Sequence, residues 1–452
     1  MFNRLRRLFS SSSTLDQMLA YPEGKRIYRE FHKLRREQMD QDALKVINRL
    51  NRHGYRSYLV GGCVRDMILG KKPKDFDVVT SATPAQIRKV FTNSRAIGRR
   101  FKIVHVVFRG GKVIEVSTFR SLPEHRFQPG KNQDYMLKRD NEYGNPREDA
   151  ARRDFTINAL FFDPRNESII DYVGGFDDIE ARRINVIGDP EISFKEDPVR
   201  MLRAAKFAGL LGMSIDARTL KGIRRYRNEI SKASPVRLLD EYTKIFRTGR
   251  SADVFSALAE TGLFKPMFPE AWQASGASKQ SDFRDSSIGK RLVVADRMLS
   301  EREDLTITIF IALLLADVVR DVFFGRRTDN IMDYVKSRLQ PAAERMQVSG
   351  KDRDRLIQMF ISQGRFMQSG RRRRVRPEVF REKIFFYEAF MLFKIYALAE
   401  NNEEAIQKAM FWEIGPRGRP PEAGKVVTTF PQRMRNQQNR RHARQGRSGR
   451  RP

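Results

Sequence analysis

The chain has 452 residues, of which 40% are hydrophobic, so it is long enough for two or three domains with real cores. It carries 87 Lys and Arg residues against 55 Asp and Glu residues, and the net charge of +32 indicates a polyanionic partner such as nucleic acid or, less well, an anionic membrane surface. The single cysteine, Cys63, excludes an internal disulfide framework and a cysteine zinc site, so any metal should be held by oxygen atoms.

The N-terminal segment and the longest apolar run bear on membrane association. Residues 1–40 carry many charges and no sustained periodicity, which predicts an extension with apolar runs too short for a secretory signal. The longest apolar run, Leu305 to Ala316, contains two threonines and is too short to cross a bilayer. We therefore expect a buried helix at this run, no stable membrane insertion and a cytoplasmic location.

A buried strand followed by two glycines is the first strong signal in the chain. An amphipathic helix from Gln41 precedes a strand that ends at Val60. Gly61 and Gly62 lack a Cβ atom and predict a tight turn into a short helix. The free N–H groups at the start of that helix, with the charge of Arg65 nearby, suit a phosphate group.

Two aspartates follow the basic run after this helix. From Asp75 to Val79 acidic and apolar residues alternate, as in a strand with one buried face, so Asp75 and Asp77 should point the same way. Two such carboxylates beside a phosphate site could bind the pair of Mg²⁺ ions that holds a triphosphate and an attacking hydroxyl group together. Two aspartates alone are usually a solvated strand edge, but the ordered combination with the glycines is specific.

The stretch from Tyr58 to Asp77 resembles the signature of the nucleotidyltransferases related to DNA polymerase β, in the branch that holds bacterial poly(A) polymerases and CCA-adding enzymes. The resemblance implies a catalytic head with a small mixed sheet, two Mg²⁺ ions at Asp75 and Asp77, and a nucleoside triphosphate substrate. Cys63 replaces the glycine common at its position, which bears on local packing rather than on the chemistry.

A helix and a loop are predicted on either side of the next strands. The hydroxyl group of Thr83, with Pro84 after it and Gln86 three residues on, predicts a helix that runs to about Phe91. Residues 121–149 are polar, contain glycine and proline, and are predicted to form a mobile loop over the site.

A β-hairpin is predicted between these segments. Its strands are Ile97–Phe108 and Lys112–Arg120, separated by two glycines. On the second strand Glu115 is either an edge carboxylate facing water or a third acid near the metals. Arg120 closes the strand and could contact a phosphate or form a salt bridge, whereas His105 is expected to be a packed core residue.

Residues 152–160 resemble the second signature of the same family. In the family this motif contacts the sugar and phosphates of the nucleotide, which implies roles in the active site for Arg153 and Asp154. Asn158 is expected to be a structural hydrogen-bonding residue. The glycine-containing stretch 171–178 resembles the motif between head and neck and is predicted to be a hinge.

Residues 196–207 open a helix, with Asp197 placed as its N-cap. They resemble the base-reading motif of the family, which implies that Asp197 and Arg200 bind the pairing edge of the incoming nucleotide; capping and a surface salt bridge are the alternatives. A carboxylate only accepts hydrogen bonds and a guanidinium only donates them. The pair therefore matches a base that presents an amino group as donor beside a ring nitrogen as acceptor, as adenine and cytosine do. Guanine and uracil would leave charged groups unpaired, so GTP and UTP are excluded while ATP and CTP stay open.

From Pro235 onward the chain is predicted to be helical, with no further sheet. Long helices are expected at Asp304–Phe324 and Glu378–Leu398. Residues 416–452, rich in Gln, Arg, Gly and Ser, are predicted to be a disordered tail that attracts RNA. An arginine cluster without acids favours contact with RNA phosphates over a merely solvated patch; it comprises Arg371, Arg372, Arg373, Arg374 and Arg376.

The predicted fold class is therefore α+β, a polymerase-β-like nucleotidyltransferase head followed by an all-helical neck and body. The expected divisions are an N-terminal extension (1–40), the catalytic head (41–180), a neck that recognises the base (181–250), an RNA-binding body (251–415) and the tail (416–452).

Two features favour the bacterial poly(A) polymerase form of this family, namely the segment Gly98–Val106 and the arginine-rich C-terminus. The expected activity is template-independent transfer of AMP from ATP to RNA 3′ ends, in mRNA polyadenylation and RNA decay, with RNA-decay proteins as partners. A CCA-adding tRNA nucleotidyltransferase is the alternative within the class, and a non-catalytic RNA-binding protein is the alternative outside it. The predicted catalytic residues are Asp75, Asp77 and Asp154, and the predicted nucleotide-binding residues are Gly61, Gly62, Arg65, Arg120, Arg153, Asp197, Arg200 and Arg203.

Overall fold

The structure is a computed structural model that describes residues 18, 20–98, 103–121, 142–276, 282–323, 330–367 and 377–414. The chain divides into two compact units, residues 1–301 with 339–349, and residues 302–338 with 350–452. The predicted arginine cluster 371–376 and the predicted tail lie outside the described residues, as does most of the predicted loop after Ser121.

Eight strands of the first unit form one mixed sheet in the order β1-β8-β7-β2-β3-β6-β5-β4. Only the central pair of β3 and β6 is parallel, and the other neighbours in this sheet are antiparallel. Two further short strands, β9 and β10, pair in parallel. The strands are β1 (Lys25–Ile27), β2 (Ser57–Val60), β3 (Asp77–Thr80), β4 (Ser94–Ile97), β5 (Ile103–Val107), β6 (Val113–Thr118), β7 (Leu160–Asp163), β8 (Ser168–Asp171), β9 (Arg183–Ile184) and β10 (Ser214–Ile215).

Helices dominate the chain after the sheet. Those before residue 302 are α1 (Arg29–His32), α2 (Gln41–Arg52), α3 (Gly62–Ile68), α4 (Pro84–Val90), α5 (Pro146–Ala151), α6 (Gly175–Glu180), α7 (Pro190–Glu196), α8 (Val199–Leu211), α9 (Ala217–Tyr226), α10 (Pro235–Phe246), α11 (Ser251–Glu260), α12 (Phe264–Met267), α13 (Pro269–Ala274) and α14 (Ser287–Ser300). Those after it are α15 (Ile307–Leu315), α16 (Arg320–Phe323), α17 (Ile331–Arg345), α18 (Gly350–Ile361), α19 (Gln363–Met367), α20 (Pro377–Arg381), α21 (Phe386–Ala399) and α22 (Glu403–Ile414). Among the described helices, none combines the length and the apolar composition needed to cross a membrane.

The core beneath the sheet is aromatic. Tyr58, Phe119, Phe161 and Tyr172 are buried, and their ring centroids lie 5.9 to 6.4 Å apart in mostly edge-to-face contacts. Such pairs add to the free energy gained from burial and hold the central strands in one arrangement. This arrangement fixes the strand ends that carry the predicted site residues.

Several predicted elements are confirmed. Helix α2 begins at Gln41, and α4 has the predicted capping box, in which Thr83 Oγ1 accepts the N–H of Gln86 and the Gln86 side chain accepts the N–H of Thr83. Strands β5 and β6 form the predicted hairpin. The apolar run after Leu305 forms the buried helix α15, and no strand occurs among the described residues after Pro235.

Several predicted elements are wrong in extent. The strand predicted from Asp75 begins only at Asp77, and the loop predicted over 121–149 ends at Pro146, where α5 begins. The helix predicted at Asp304–Phe324 is not continuous, because a 3-10 turn at Ala316–Val319 separates α15 from α16.

Ile97 does not begin the strand that ends near Phe108, because it closes β4, a separate strand that pairs with β5. The predicted helix Glu378–Leu398 is broken between α20 and α21, where Phe386 donates its N–H to Lys383 in a turn. In a continuous helix the side chains of Phe380 and Phe386 would point in directions that differ by about a third of a turn around the helix axis. The break instead allows their rings to pack edge to face, with centroids 5.2 Å apart.

The described residues of the predicted N-terminal extension are structured. Strand β1 pairs with β8 and so covers one edge of the sheet. His32 is buried, with its ring centroid 6.0 Å from that of Phe162 and its Nε2 2.9 Å from the carbonyl oxygen of Glu167. This segment therefore completes the sheet of the head.

Candidate active site

The turn between β2 and α3 forms one side of the site. Gly61 has a φ of +80°, and a Cβ atom there would lie 3.3 Å from Nη1 of Arg153 and 3.6 Å from the carbonyl oxygen of Asn158. The positive φ and this close approach both favour glycine. The first and second predicted signatures therefore meet at Gly61.

Asp77 lies directly beside this turn. It opens β3, where it is the register partner of Val60 on β2 and of Glu115 on β6. The pKa of Asp77 is raised to about 6, first because the surrounding protein removes water from the carboxyl group, and then because Glu115 and Asp75 repel its charge, with Arg153 acting in the opposite direction. The side chain nevertheless remains exposed to solvent.

The donor set fits a divalent metal. The carboxyl groups of Asp75 and Glu115 are each near enough to Asp77 to repel its charge, and a cation would relieve that repulsion. Within the described residues, no three His, Cys, Asp or Glu side chains are close enough together to hold one ion. A metal at Asp75 and Asp77 would therefore take further oxygen ligands from a substrate or from water.

Glu115 also contacts a histidine. Its Oε1 lies 3.0 Å from Nε2 of His105, the partner of Glu115 on β5. His105 is buried, as predicted, while 49% of the Glu115 side chain is exposed. Glu115 thus faces solvent on the same row as Asp77, and its role as a metal ligand stays a prediction.

Arg153 is held in place by a carboxylate that sequence analysis did not single out. Asp149 is buried, and its Oδ2 accepts hydrogen bonds from Nε and Nη2 of Arg153 at 3.1 and 2.9 Å. The backbone N–H of Arg120 donates to Oδ1 of Asp149 at 3.3 Å. Asp149 stands four residues before Arg153 in the sequence, which is the spacing of a helical ion pair and could have revealed it.

Asp154 joins the head to α8. Its Oδ2 lies 2.7 Å from Nη2 of Arg203, and its Oδ1 accepts from the N–H of Phe155 and from Nδ2 of Asn158. Burial alone would raise the pKa of Asp154, but Arg203 and these hydrogen bonds outweigh it, so the pKa is lowered. These contacts describe an anchor, and a catalytic role for Asp154 stays a prediction.

Arg65 is turned inward. Only 8% of the residue is exposed, its Nη1 donates to Oδ1 of Asn158 at 2.6 Å, and its guanidinium lies 4.9 Å from the ring centroid of Phe207 on α8. Nε and Nη2 both contact Asp66. The expected contact between Arg65 and a phosphate stays a prediction, and in this structure the side chain connects α3 to α8.

The two predicted base-reading residues lie three positions apart in the chain and make different contacts. Arg200 is buried, and its guanidinium donates to Oγ of Ser193 at 2.6 Å and to the carbonyl oxygen of Arg152 at 3.4 Å. The prediction that Asp197 is the N-cap of α8 is wrong, because Pro198 takes that position and Asp197 ends α7. Oδ1 of Asp197 nevertheless accepts the N–H of Val199 at 3.2 Å.

Asp197 also binds Arg237, a residue of α10 that no sequence motif indicated. Nη1 of Arg237 donates to Oδ1 of Asp197 at 2.9 Å, and Nη2 donates to Oδ2 at 2.7 Å. The two residues are 40 positions apart, and no periodicity connects them. Only the packing of α10 beside α8 brings them together.

Comparison with known proteins shows similarity in the head and in the helices after it. Residues 57–185 match the family model described as the poly A polymerase head domain, and residues 212–275 match the one described as the probable RNA and SrmB-binding site of polymerase A. Poly(A) polymerase I of Salmonella typhi is 46% identical over 272 residues, which cover 59% of this chain and 58% of that protein. The CCA-adding enzyme of Bacillus pumilus is 34% identical over 226 residues, covering 50% and 54%. The chain thus matches less than two thirds of the length of these relatives.

The overall architecture also has a solved counterpart. The crystal structure of the Bacillus stearothermophilus CCA-adding enzyme in complex with CTP superposes with a TM-score of 0.57 at 25% identity, over 82% of this chain and 81% of that one. The predicted fold class, a nucleotidyltransferase head with an all-helical remainder, is confirmed. The resemblance inferred from residues 58–77 is confirmed as well.

Proposed function

Because residues 57–185 match the family model of the poly A polymerase head domain, we propose that the chain is a template-independent polynucleotide adenylyltransferase. It adds AMP from ATP to RNA 3′ ends and releases pyrophosphate. The observation that carries the proposal is the register that sets Asp77 between the Gly61 turn and Glu115. A nucleoside triphosphate needs such a site, where phosphate-binding backbone and metal-binding carboxylates meet.

Asp75 and Asp77 are the proposed metal ligands, with Glu115 as a further candidate. Two Mg²⁺ ions bound there would lower the pKa of the RNA 3′-hydroxyl group and neutralise the triphosphate. Gly61, Gly62, Arg120 and Arg153 are proposed to contact the phosphates and sugar of the nucleotide. Positioning and charge stabilisation then account for the catalysis, and no covalent intermediate with the protein is required.

Base selection is assigned to the start of α8. Asp197 is proposed to accept a hydrogen bond from an exocyclic amino group, and Arg200 to donate to the neighbouring ring nitrogen. In this structure Arg200 donates to Oγ of Ser193, so a bound base would share the five N–H donors of the guanidinium with this contact. Adenine and cytosine satisfy this pair equally, so the preference for ATP rests on the higher identity to poly(A) polymerase I.

RNA is the proposed acceptor, in mRNA polyadenylation and RNA decay in the cytoplasm. The net charge of +32 and the match of residues 212–275 to an RNA-binding model support this acceptor. The arginine cluster 371–376 and the arginine-rich tail are proposed to bind RNA phosphates without sequence preference. RNA-decay proteins are the proposed partners.

One incorporation assay separates the candidate functions. The protein is incubated with Mg²⁺, each nucleoside triphosphate singly, and either a single-stranded RNA or a tRNA that lacks its terminal CCA. Long tails from ATP alone support the proposal, whereas CTP-dependent addition to the truncated tRNA supports a CCA-adding enzyme, the activity named for the relative from Bacillus pumilus. RNA binding without metal-dependent incorporation would instead indicate a non-catalytic RNA-binding protein. An RNA with a 3′-deoxy end is the control and should give no product.

A further inference from the structure

The contact between Asp197 and Arg237 is a fork of two parallel hydrogen bonds. Each carboxylate oxygen of Asp197 accepts from a different guanidinium nitrogen, at 2.9 and 2.7 Å. Such bidentate pairs fix the orientation of both groups. The plane of the Asp197 carboxylate is therefore set by α10, although Asp197 itself lies between α7 and α8.

Counting acceptor positions shows what this fork leaves for a ligand. A carboxylate oxygen has two lone pairs. Oδ1 of Asp197 uses both, for Nη1 of Arg237 and for the N–H of Val199. Oδ2 accepts only from Nη2 of Arg237 among the described residues. One acceptor position therefore remains on Asp197, and it lies on Oδ2.

A single remaining acceptor matters for the choice of base. Adenine and cytosine each need Asp197 to accept one N–H, from their exocyclic amino group. Guanine presents two adjacent donors, its ring N1–H and its amino group, which a carboxylate with both oxygens free would bind side by side. The fork with Arg237 occupies the positions that this second arrangement needs.

We propose that Arg237 is a positioning residue that sets base selectivity by holding Asp197 with one acceptor position open. This inference rests on the proposed function and adds a residue to its nucleotide site. Arg237 acts through Asp197. It disfavours guanine because it prevents both carboxylate oxygens of Asp197 from binding the two donors of that base, and it favours adenine because it orients the carboxylate toward the amino group. An ordinary stabilising ion pair would have no effect on which base is chosen.

The test compares Arg237→Ala and Arg237→Lys with Arg247→Ala, which removes an exposed arginine just after the same helix. In Arg237→Ala we expect the KM for ATP to rise about tenfold or more with a smaller change in kcat, because the base is misplaced in binding. The ratio of kcat/KM for ATP to that for GTP should fall at least about tenfold. Arg237→Lys should recover part of the ratio, because its ammonium group can neutralise the charge of Asp197 but cannot donate two parallel hydrogen bonds to the carboxylate.

A binding measurement keeps this inference separate from the proposed function. Equilibrium binding of ATP and of GTP, without RNA, is measured for the same proteins. If the wild-type protein binds ATP selectively but transfers nothing, only the proposed function falls, and the Arg237 variants still test selectivity.

Two results would overturn the role of Arg237. One is an Arg237→Ala protein that melts at a lower temperature yet keeps the wild-type preference for ATP over GTP, which would make the pair purely structural. The other is a wild-type protein that does not distinguish ATP from GTP in binding. In the nucleotide-binding measurement, which contains no RNA, Arg247→Ala should match the wild-type protein.

Discussion

Asp77 on β3 and Glu115 on β6 are register partners across the parallel pair of strands at the centre of the sheet. The same row continues to Val60 on β2 and to His105 on β5. Residues in one row point to the same face of a sheet. On one face of the sheet, four adjacent strands thus carry Val60, which immediately precedes the glycine turn, together with two acids and a histidine.

Replacing Asp77 should abolish nucleotide transfer without unfolding the protein. Asp77→Ala and Asp77→Asn both remove a metal ligand, and we expect incorporation of AMP to fall by roughly 10²- to 10³-fold or more. The side chain is exposed and repelled by its neighbours, so the melting temperature and RNA affinity should change little. Asp177→Asn, which removes an exposed acid paired with Lys25, is the control and should keep full activity. Full activity in either Asp77 variant would remove the assignment.

Protonation of Asp77 should compete with metal binding. Its pKa of about 6 means that the carboxyl group is ionised above that pH and protonated below it, so stronger acid should weaken metal affinity. We expect the apparent affinity for Mn²⁺, measured by electron paramagnetic resonance without nucleotide, to be level above about pH 7 and to fall about tenfold per pH unit well below pH 6.

Glu115→Gln tests the cause of this pH dependence. Removal of one repelling charge lowers the pKa of Asp77, so the loss of Mn²⁺ affinity should begin at a lower pH than in the wild-type protein. If Glu115 is also a ligand, the affinity at pH 8 should fall in the same variant. Glu180→Gln, at an exposed acid of α6, should leave the profile unchanged. A Glu115→Gln profile that coincides with that of the wild-type protein would contradict the proposed repulsion.

Features that depend on neighbouring residues were predictable from the sequence. The capping box of Thr83 and Gln86 spans four residues, and the alternation of acidic and apolar residues predicted β3, although that strand begins at Asp77 and leaves Asp75 outside it. The glycine turn was predictable because its backbone has a positive φ at residue 61, which glycine adopts without steric strain. In each of these cases residues close together in the sequence favour the local conformation, and the tertiary packing is compatible with it.

Features that depend on distant residues were not predictable. The fork between Asp197 and Arg237, the contact of Arg65 with Asn158 and the pairing of β1 with β8 each join segments far apart in the chain. No periodicity encodes such contacts, because they follow from how helices and strands pack. Sequence analysis therefore predicted roles for Asp197 and Arg65 in nucleotide binding, but it did not predict the side-chain contacts that both residues make in the structure.

Cys63 should be inert in the folded protein. It is buried, and its pKa is raised to about 12, first by burial and then by the negative charge of Asp77. At pH 8 only about one thiol in ten thousand is then a thiolate, which is the reactive form. We expect negligible labelling by iodoacetamide under native conditions and labelling at the ordinary rate in denaturant. Rapid labelling without loss of structure would contradict this burial.

The ion pair of Lys206 and Glu241 should contribute strongly to the packing of α8 against α10. Both residues are buried, and Nζ of Lys206 contacts Oε2 of Glu241. Glu241→Ala leaves a buried, unpaired ammonium group, so the local free energy of unfolding should fall by about 3–5 kcal/mol. Hydrogen exchange of the amides in α8 and α10 measures this quantity without assuming that the whole chain unfolds in one step.

A double variant and a surface pair complete this test. Lys206→Met with Glu241→Leu removes both charges and keeps most of the volume, so it should recover most of the lost protection. Glu191→Ala breaks the more exposed pair with Lys195 on α7 and should change local stability by less than about 1 kcal/mol. Equal losses in the Glu241 and Glu191 variants would show that burial does not set the strength of the pair. A double variant as unstable as Glu241→Ala would show instead that packing volume, and not the unpaired charge, controls the contact between these helices.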